Sequence, residues 1–383
     1  MSRLIFLGVV LTIAGFASEL RGQPGGGNQW TDTLELAVHS AIAEKKMPGA
    51  VVCIGNHKET VYLKAFGHLS LLPKREKMKT DTVFDLASLT KPIATATSIL
   101  ILLEAGKVRM RDSAATYLPD FAVNGKRSIT VQQLLTHSAG LIPDNALADY
   151  QDGPEVALRK INELKPTWVP GSRFAYTDVG FIVLGEIVRK QSGETLDRFS
   201  SRQIFQKLGM HETGFRPGED LARRSAVTQQ RNGKWIKGKV HDPRAFALGG
   251  VAGHAGLFST ATDLAKYCRM LLNRGQGRQG PVLSPRTVEV MTSAYELNGG
   301  IKRGLGWDKQ SPYSSNRGEL MSDKAFGHGG FTGTSLWIDP ELDLFVIFLS
   351  NRVHPDGKGS VNRLAGRIGT LASAAFSQSK LAK

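Results

Sequence analysis

Apolar and polar positions change period several times along this chain. Residues 4–16 are a continuous apolar run preceded by Arg3 and followed by Ala17 and Ser18. Residues 30–46 place Leu34, Ala37, Val38, Ala41 and Ile42 at helical spacing and stop at Pro48-Gly49, which predicts a helix. Two β-prone runs, 50–54 and 60–66, flank Gly55-Asn56 and predict a hairpin. Residues 88–105 predict a strongly apolar helix closed by Gly106.

From about residue 110 to 300 the pattern reads as helices and loops, broken often by Gly and Pro. Two further β runs, 333–338 and 344–349, lie either side of Asp339-Pro340, and a last helix is predicted over 361–376. Strands near both ends with helices between them predict an α/β (α+β) architecture. An antiparallel sheet is built from both termini and flanked by helices, and a mainly helical subdomain is inserted. The division expected is 30–110 and 300–383 for the sheet and 111–299 for the insert. Residues 23–29 are Gly-rich and read as a linker. No longer repeat interrupts this layout.

The first run changes the expected location. A positive start, a short apolar core and a small-residue exit fit a secretory signal peptide with its leader over 1–22. The run is short for a membrane span, which needs about 20 apolar residues. An uncleaved anchor is the rival, since Glu19 to Arg21 is a poor cleavage region. Two cysteines, Cys53 and Cys268, exclude a disulfide framework and read as buried thiols. With 49 Lys+Arg against 34 Asp+Glu the formal charge is +15, but the basic residues are spread out and no nucleic-acid signature accompanies them. Nucleic acid is therefore not expected as a partner; an anionic cell-envelope polymer or lipid surface is.

Three segments carry candidate chemistry. Ser88-Leu89-Thr90-Lys91 is an S-x-x-K at the start of the predicted 88–105 helix; Lys91, three residues on, shares a helix face with Ser88 and can reach its hydroxyl. Taken singly, Ser88 reads as a helix cap and Lys91 as a solvated charge, and the same pattern recurs at residues 377–380. Phe174-Ala175-Tyr176-Thr177-Asp178 precedes a helical apolar segment, where a tyrosine is ordinarily a packing residue. Gly327-His328-Gly329-Gly330-Phe331 precedes a predicted strand, where glycines permit close approach of a ligand or backbone.

In this order the three resemble the serine β-lactamase and penicillin-binding-protein superfamily, in its class C β-lactamase-like and esterase branch. Supporting segments are Leu134 to Leu141 (L-L-T-H-S-A-G-L), Gly304-Leu305-Gly306-Trp307 and Gly249 to Asp263. The last is similar to cell-wall hydrolases such as D-alanyl-D-alanine carboxypeptidase-like proteins and exo-acting N-acetylmuramyl-L-alanine amidases. The resemblance implies a β-lactamase/transpeptidase-like fold and an acyl-enzyme on Ser88. It implies Lys91 and Tyr176 as the proton-handling pair, without assigning the base between them. The backbone N–H groups of Ser88 and Phe331 would form the oxyanion hole. It implies no metal and no cofactor. The substrate expected is a small carboxyl ester or a peptidoglycan-derived amide; β-lactam hydrolysis and a silent muropeptide-binding protein using the same cleft are the alternatives.

Two departures from that pattern bear on substrate choice. The usual K-T-G reads His328-Gly329-Gly330, replacing a permanent cation with a group that ordinarily titrates near neutrality. Carboxylate-bearing substrates are therefore expected to be disfavoured, and less so near pH 6. The usual Y-x-N reads Tyr176-Thr177-Asp178; a carboxylate near Lys91 favours its ammonium and turns the base assignment toward Tyr176. Asp178, His328, Gly329, Gly330 and, from the Gly-rich loop, His254 are the expected substrate contacts. His137 is expected to cap a helix end. His211-Glu212 fails as a zinc signature because Phe215 takes the second histidine position, and no G-x-S-x-G is present.

Overall fold

The computed structural model describes residues 29–381; the expected signal peptide and nearly all of the linker lie outside them. Helix α1 (Gln29–Ala43) leads into β1 (Gly49–Gly55) and β2 (Thr60–Ser70), the expected hairpin, followed by the two-residue β3 (Glu76–Lys77). At the other end β8 (Thr334–Asp339) and β9 (Leu344–Ser350) run antiparallel to each other, and β9 pairs with β1 in the register Val52↔Phe348. The two ends of the chain thus meet at the β1–β9 seam. The closing helix α4 (Asn362–Leu381) is longer than the pattern predicts.

Every residue of β1 and β9 is buried, because both faces of the sheet are covered. The two-residue period divides their side chains. Val51, Cys53, Ile347 and Leu349 pack with the central helices, whereas Val52, Ile54, Val346 and Phe348 pack with Leu34 and Val38 of α1 and Ile368 of α4. Both thiols are free and buried, as expected; burial pushes Cys53 up to about 12 and also raises Cys268.

Besides the two-residue β3, four strands of this sheet were not legible. Short segments β4 (Tyr295–Leu297), β5 (Ile301–Arg303) and β6 (Asp308–Gln310) extend the sheet, and β7 (Phe326–Gly330) replaces the expected turn. The full order is β4-β5-β6-β7-β8-β9-β1-β2-β3. None of the four carries an apolar alternation; pairing with a neighbour supplies the stability that side chains do not. The 88–105 helix also differs. Ala87–Leu89 is a tight 3-10 turn, Lys91–Ala96 is wound wider than an α-helix, and α2 begins at Thr97 and runs to Glu104. Pro92 lacks an N–H, and its carbonyl accepts from the Thr97 N–H and the Thr97 hydroxyl, five residues on.

A small three-stranded sheet in the middle region was also unforeseen. It joins Phe84–Asp85, just before Ser88, to Leu257–Ser259 and Gly214–Phe215. That sheet anchors the approach to Ser88 on the Gly-rich loop. Among the described residues no helix is long and apolar enough to cross a membrane.

Candidate active site

The turn bearing Ser88 is held from three sides. Ala87 has φ +45°, a region costly for a residue with a Cβ, and its N–H is accepted by Asp85 Oδ1 at 2.9 Å. Asp85 Oδ2 accepts the His241 N–H at 2.6 Å. Burial pushes the Asp85 carboxyl up to about 6. The β7–β8 turn is tied to the same backbone: Thr332 Oγ1 donates to the Asp85 carbonyl (2.7 Å) and Thr334 Oγ1 to the Leu86 carbonyl (3.1 Å). Gly330 must be glycine here, since a Cβ would stand 2.4 Å from the Leu86 carbonyl oxygen.

Lys91 is fully buried behind Ser88. Its Nζ donates to Ser88 Oγ (3.0 Å) and to the His254 carbonyl (3.1 Å), and lies 2.6 Å from Asp178 Oδ1. Burial opposes its charge, but Asp178 and then Tyr176 outweigh burial and hold the ammonium well above an ordinary lysine. Asp178 opens α3 (Asp178–Ser192), whose cap is Thr177: its Oγ1 accepts the Gly180 N–H at 3.2 Å. The His254 carbonyl reaches Lys91 because Gly253 lies directly on α3, where a Cβ would be 1.8 Å from the Phe181 carbonyl oxygen.

Tyr176 completes the group, with its ring centroid 5.0 Å from Lys91 Nζ and its hydroxyl interacting with both Lys91 and Ser88. Burial raises the phenol above its usual range despite the neighbouring ammonium, so it is protonated at rest. His137 does not cap a helix end. Its imidazole stacks on Tyr176 at 4.3 Å between centroids, and its Nδ1 accepts the Thr177 N–H at 3.1 Å. Burial, then the charges of Arg303 and Lys91, keep His137 neutral.

The cleft in front of Ser88 has a volume of about 370 Å³ and is lined by Tyr176, His328, Gly329, Gly330 and Phe331. Its wall also carries Arg303, Asp308, Tyr313, Asn316 and Arg352, which the sequence reading missed. Arg303 directly precedes the Gly304-Leu305-Gly306-Trp307 segment, so a positional signal for it existed. Asp85, in the turn before Ser88, was likewise passed over. A larger hollow, about 680 Å³ around His211, Lys266, Arg269 and Arg278, contains no hydroxyl or thiol nucleophile.

Three further expectations need correction. His328 does not titrate near neutrality: burial, Arg303 and Lys91 hold it well below the ordinary imidazole value. Its Nδ1 lies 2.7 Å from the Gly329 carbonyl, to which it donates, leaving Nε2 as an acceptor. His254 was expected at the cleft rim, but its side chain is only 1% exposed and its Nε2 pairs with Asp242 Oδ1 at 3.0 Å. It meets the site through its carbonyl. Asp178 likewise faces Lys91 and is not among the residues lining the cleft. Asp178, Asp242 and His254 bring ligand atoms within 4.8 Å of one another. The Lys91 ammonium already meets the Asp178 carboxylate of that set and would repel a metal ion there.

A lysine buried behind a serine, at the junction of an antiparallel sheet and a helical region, is the arrangement of a β-lactamase-related serine hydrolase. Residues 34–370 match the family Beta-lactamase, and the chain belongs to that family. It is 31% identical over 344 residues to the N-acetylmuramyl-L-alanine amidase of Bacillus subtilis (strain 168), covering 80% of this chain and 78% of that protein. It is 32% identical over 345 residues to the "Putative D-alanyl-D-alanine carboxypeptidase" of Escherichia coli (strain K12), covering 80% and 79%. Its fold is similar to that of EstCE1, a hydrolase with promiscuous acyltransferase activity, with TM-score 0.74, 22% identity and coverage of 90% and 98%.

Proposed function

We propose that this protein is exported and hydrolyses a peptidoglycan-derived amide or a small carboxyl ester through an acyl-enzyme on Ser88. The observation that carries this reading is the Lys91 ammonium shared between Ser88 Oγ at 3.0 Å and Asp178 at 2.6 Å. The scissile carbonyl docks against the backbone N–H groups of Ser88 and Phe331, which receive the charge that develops on its oxygen. Ser88 Oγ attacks; its proton passes to the Tyr176 oxygen as the Tyr176 proton passes to the leaving amine or alkoxide. Lys91 remains an ammonium throughout and stabilises negative charge on the Tyr176 and Ser88 oxygens. Water then enters the vacated side, gives a proton back through Tyr176, and releases the acid and Ser88.

The export reading is supported by the apolar run at residues 4–16, and the substrate class by the names of the relatives. The test is labelling with a fluorophosphonate, followed by a hydrolysis panel of short-chain esters, defined muropeptides and a chromogenic cephalosporin. Wild type is expected to be labelled on Ser88 and Ser88→Ala not at all, with turnover of esters or muropeptides exceeding that of the cephalosporin. Equal labelling of Ser88→Ala would overturn the assignment.

A further inference from the structure

We propose that Arg303 is the residue that reads a substrate carboxylate in this cleft, taking over the task of the lysine that His328 replaces; this rests on the Ser88 reading above. Arg303 ends β5, opposite Asp308 at the start of β6, and Asp308 pairs in turn with Gly327, next to His328. The cross-strand register therefore places Arg303 at the cleft, and the residue lines the same cavity as Ser88 and Tyr176, with its guanidinium buried in the wall behind it.

The side chain is 0% exposed, yet Nε, Nη1 and Nη2 have no hydrogen-bond partner among the described residues. Asp308 Oδ1 is 3.0 Å from Nη1, close enough to balance charge but not aligned to accept its proton. The other Asp308 oxygen accepts from Ser314 Oγ at 2.8 Å. Phe174 covers the guanidinium, with Cζ 5.5 Å from the ring centroid. A buried guanidinium with unmet donors is unfavourable, and a planar acceptor presenting two oxygens relieves it.

The charge around it selects the ligand. Asp308 neutralises one unit and stands beside one edge of the fork, so a second anion must approach the Nε–Nη2 side and carry little charge itself. A carboxylate meets that description better than a phosphate dianion. This reverses the expectation, drawn from His328 alone, that carboxylate-bearing substrates are disfavoured: the cation lies in a different strand.

Arylboronic acids, which add reversibly to an active serine, provide the probe. The inhibition constants of the three carboxyphenylboronic acids and of their methyl esters are measured in wild type, in Arg303→Lys, and in the charge-balanced pair Arg303→Gln with Asp308→Asn. In wild type at least one acid is expected to bind about 10-fold tighter than its ester, as a charge-assisted contact implies. That ratio is expected to fall to about 1 in the balanced pair, with the lysine variant between. A ratio near 1 for all three isomers in wild type overturns the proposal even if the paired variant fails to fold, and so does a ratio that survives in that variant. If Ser88 takes a fluorophosphonate while the ratio stays at 1, only the role of Arg303 falls. If neither fluorophosphonate nor boronate engages Ser88, the hydrolase reading falls and this inference with it.

Discussion

Replacing Asp178 with asparagine tests the electrostatics of the site, because asparagine is what the family's Y-x-N pattern carries there and is nearly isosteric. The carboxylate is 2.6 Å from the Lys91 ammonium, whose side chain is 0% exposed against 19% for Asp178. At that separation and an effective dielectric near 20, the attraction is about 6 kcal/mol. Removing one partner of a buried pair typically costs about 3–5 kcal/mol, since the other charge stays buried. Asp178 also sits in the first turn of α3, where a negative charge adds about 0.3–1 kcal/mol.

The pH dependence separates this from a packing defect. In wild type the folded Lys91 titrates above its unfolded value, so its contribution is full below about 10.5 and is lost only at higher pH. In Asp178→Asn the largest force opposing burial is gone and only Tyr176 remains against it, so the folded value is expected to drop below the unfolded one. The unfolded chain then binds more protons, and stability rises with pH through that window. Urea unfolding from pH 7 to 10 is expected to show Asp178→Asn about 3–5 kcal/mol less stable at pH 7, with the gap narrowing as pH rises. Fluorophosphonate labelling of the variant should gain a rising limb over the same range as Lys91 loses its proton. A gap under about 1 kcal/mol at pH 7, or one constant in pH, would refute the reasoning.

Tyr176→Phe is expected to slow acylation by about 10²–10⁴-fold with little change in boronate affinity, and stopped-flow acylation at wild-type speed would shift proton transfer to Lys91 alone. Gly330→Ala is expected to push β7 away from the Ser88 turn, because its Cβ would lie 2.2 Å from Thr334 Oγ1 and 2.4 Å from the Leu86 oxygen; labelling should fall at least tenfold while most of the melting temperature is kept. The folded Asp85 carboxyl titrates near 6 against about 3.8 unfolded, so the native state binds the extra proton between those values and loses about 3 kcal/mol of stability on this account as pH rises through them. That part of the slope in urea midpoint should be missing from Asp85→Asn, and identical slopes in the two proteins would contradict it. His328 is held neutral well below pH 6.5, so the ratio of carboxylate to neutral-ester turnover should stay flat between pH 6 and 8, and a rise toward pH 6 would show that its imidazole charges after all.

The local periods in the chain were enough to place α1, the β1–β2 hairpin, β8 and β9. Strands β1, β8 and β9 are buried on both faces and so carry continuous apolar runs, whereas β2 is largely exposed and was placed by the turn before it. The Ser88–Lys91 pair was legible for the same reason: residues three apart meet by helical geometry alone, before any tertiary contact exists. What no period could show was decided by neighbours distant in sequence. Strand β7 is made by pairing with β8, since Phe326 to Gly330 offers only two side chains larger than a hydrogen. His254 lost its expected place at the rim because Asp242 draws its ring inward, while its carbonyl turned to Lys91. The protonation of Lys91 depends on Asp178 from another helix, and the neutrality of His328 on burial and on Arg303 from another strand. Desolvation and Coulomb interaction are sums over whatever packs around a group, so they exist only once the chain has folded.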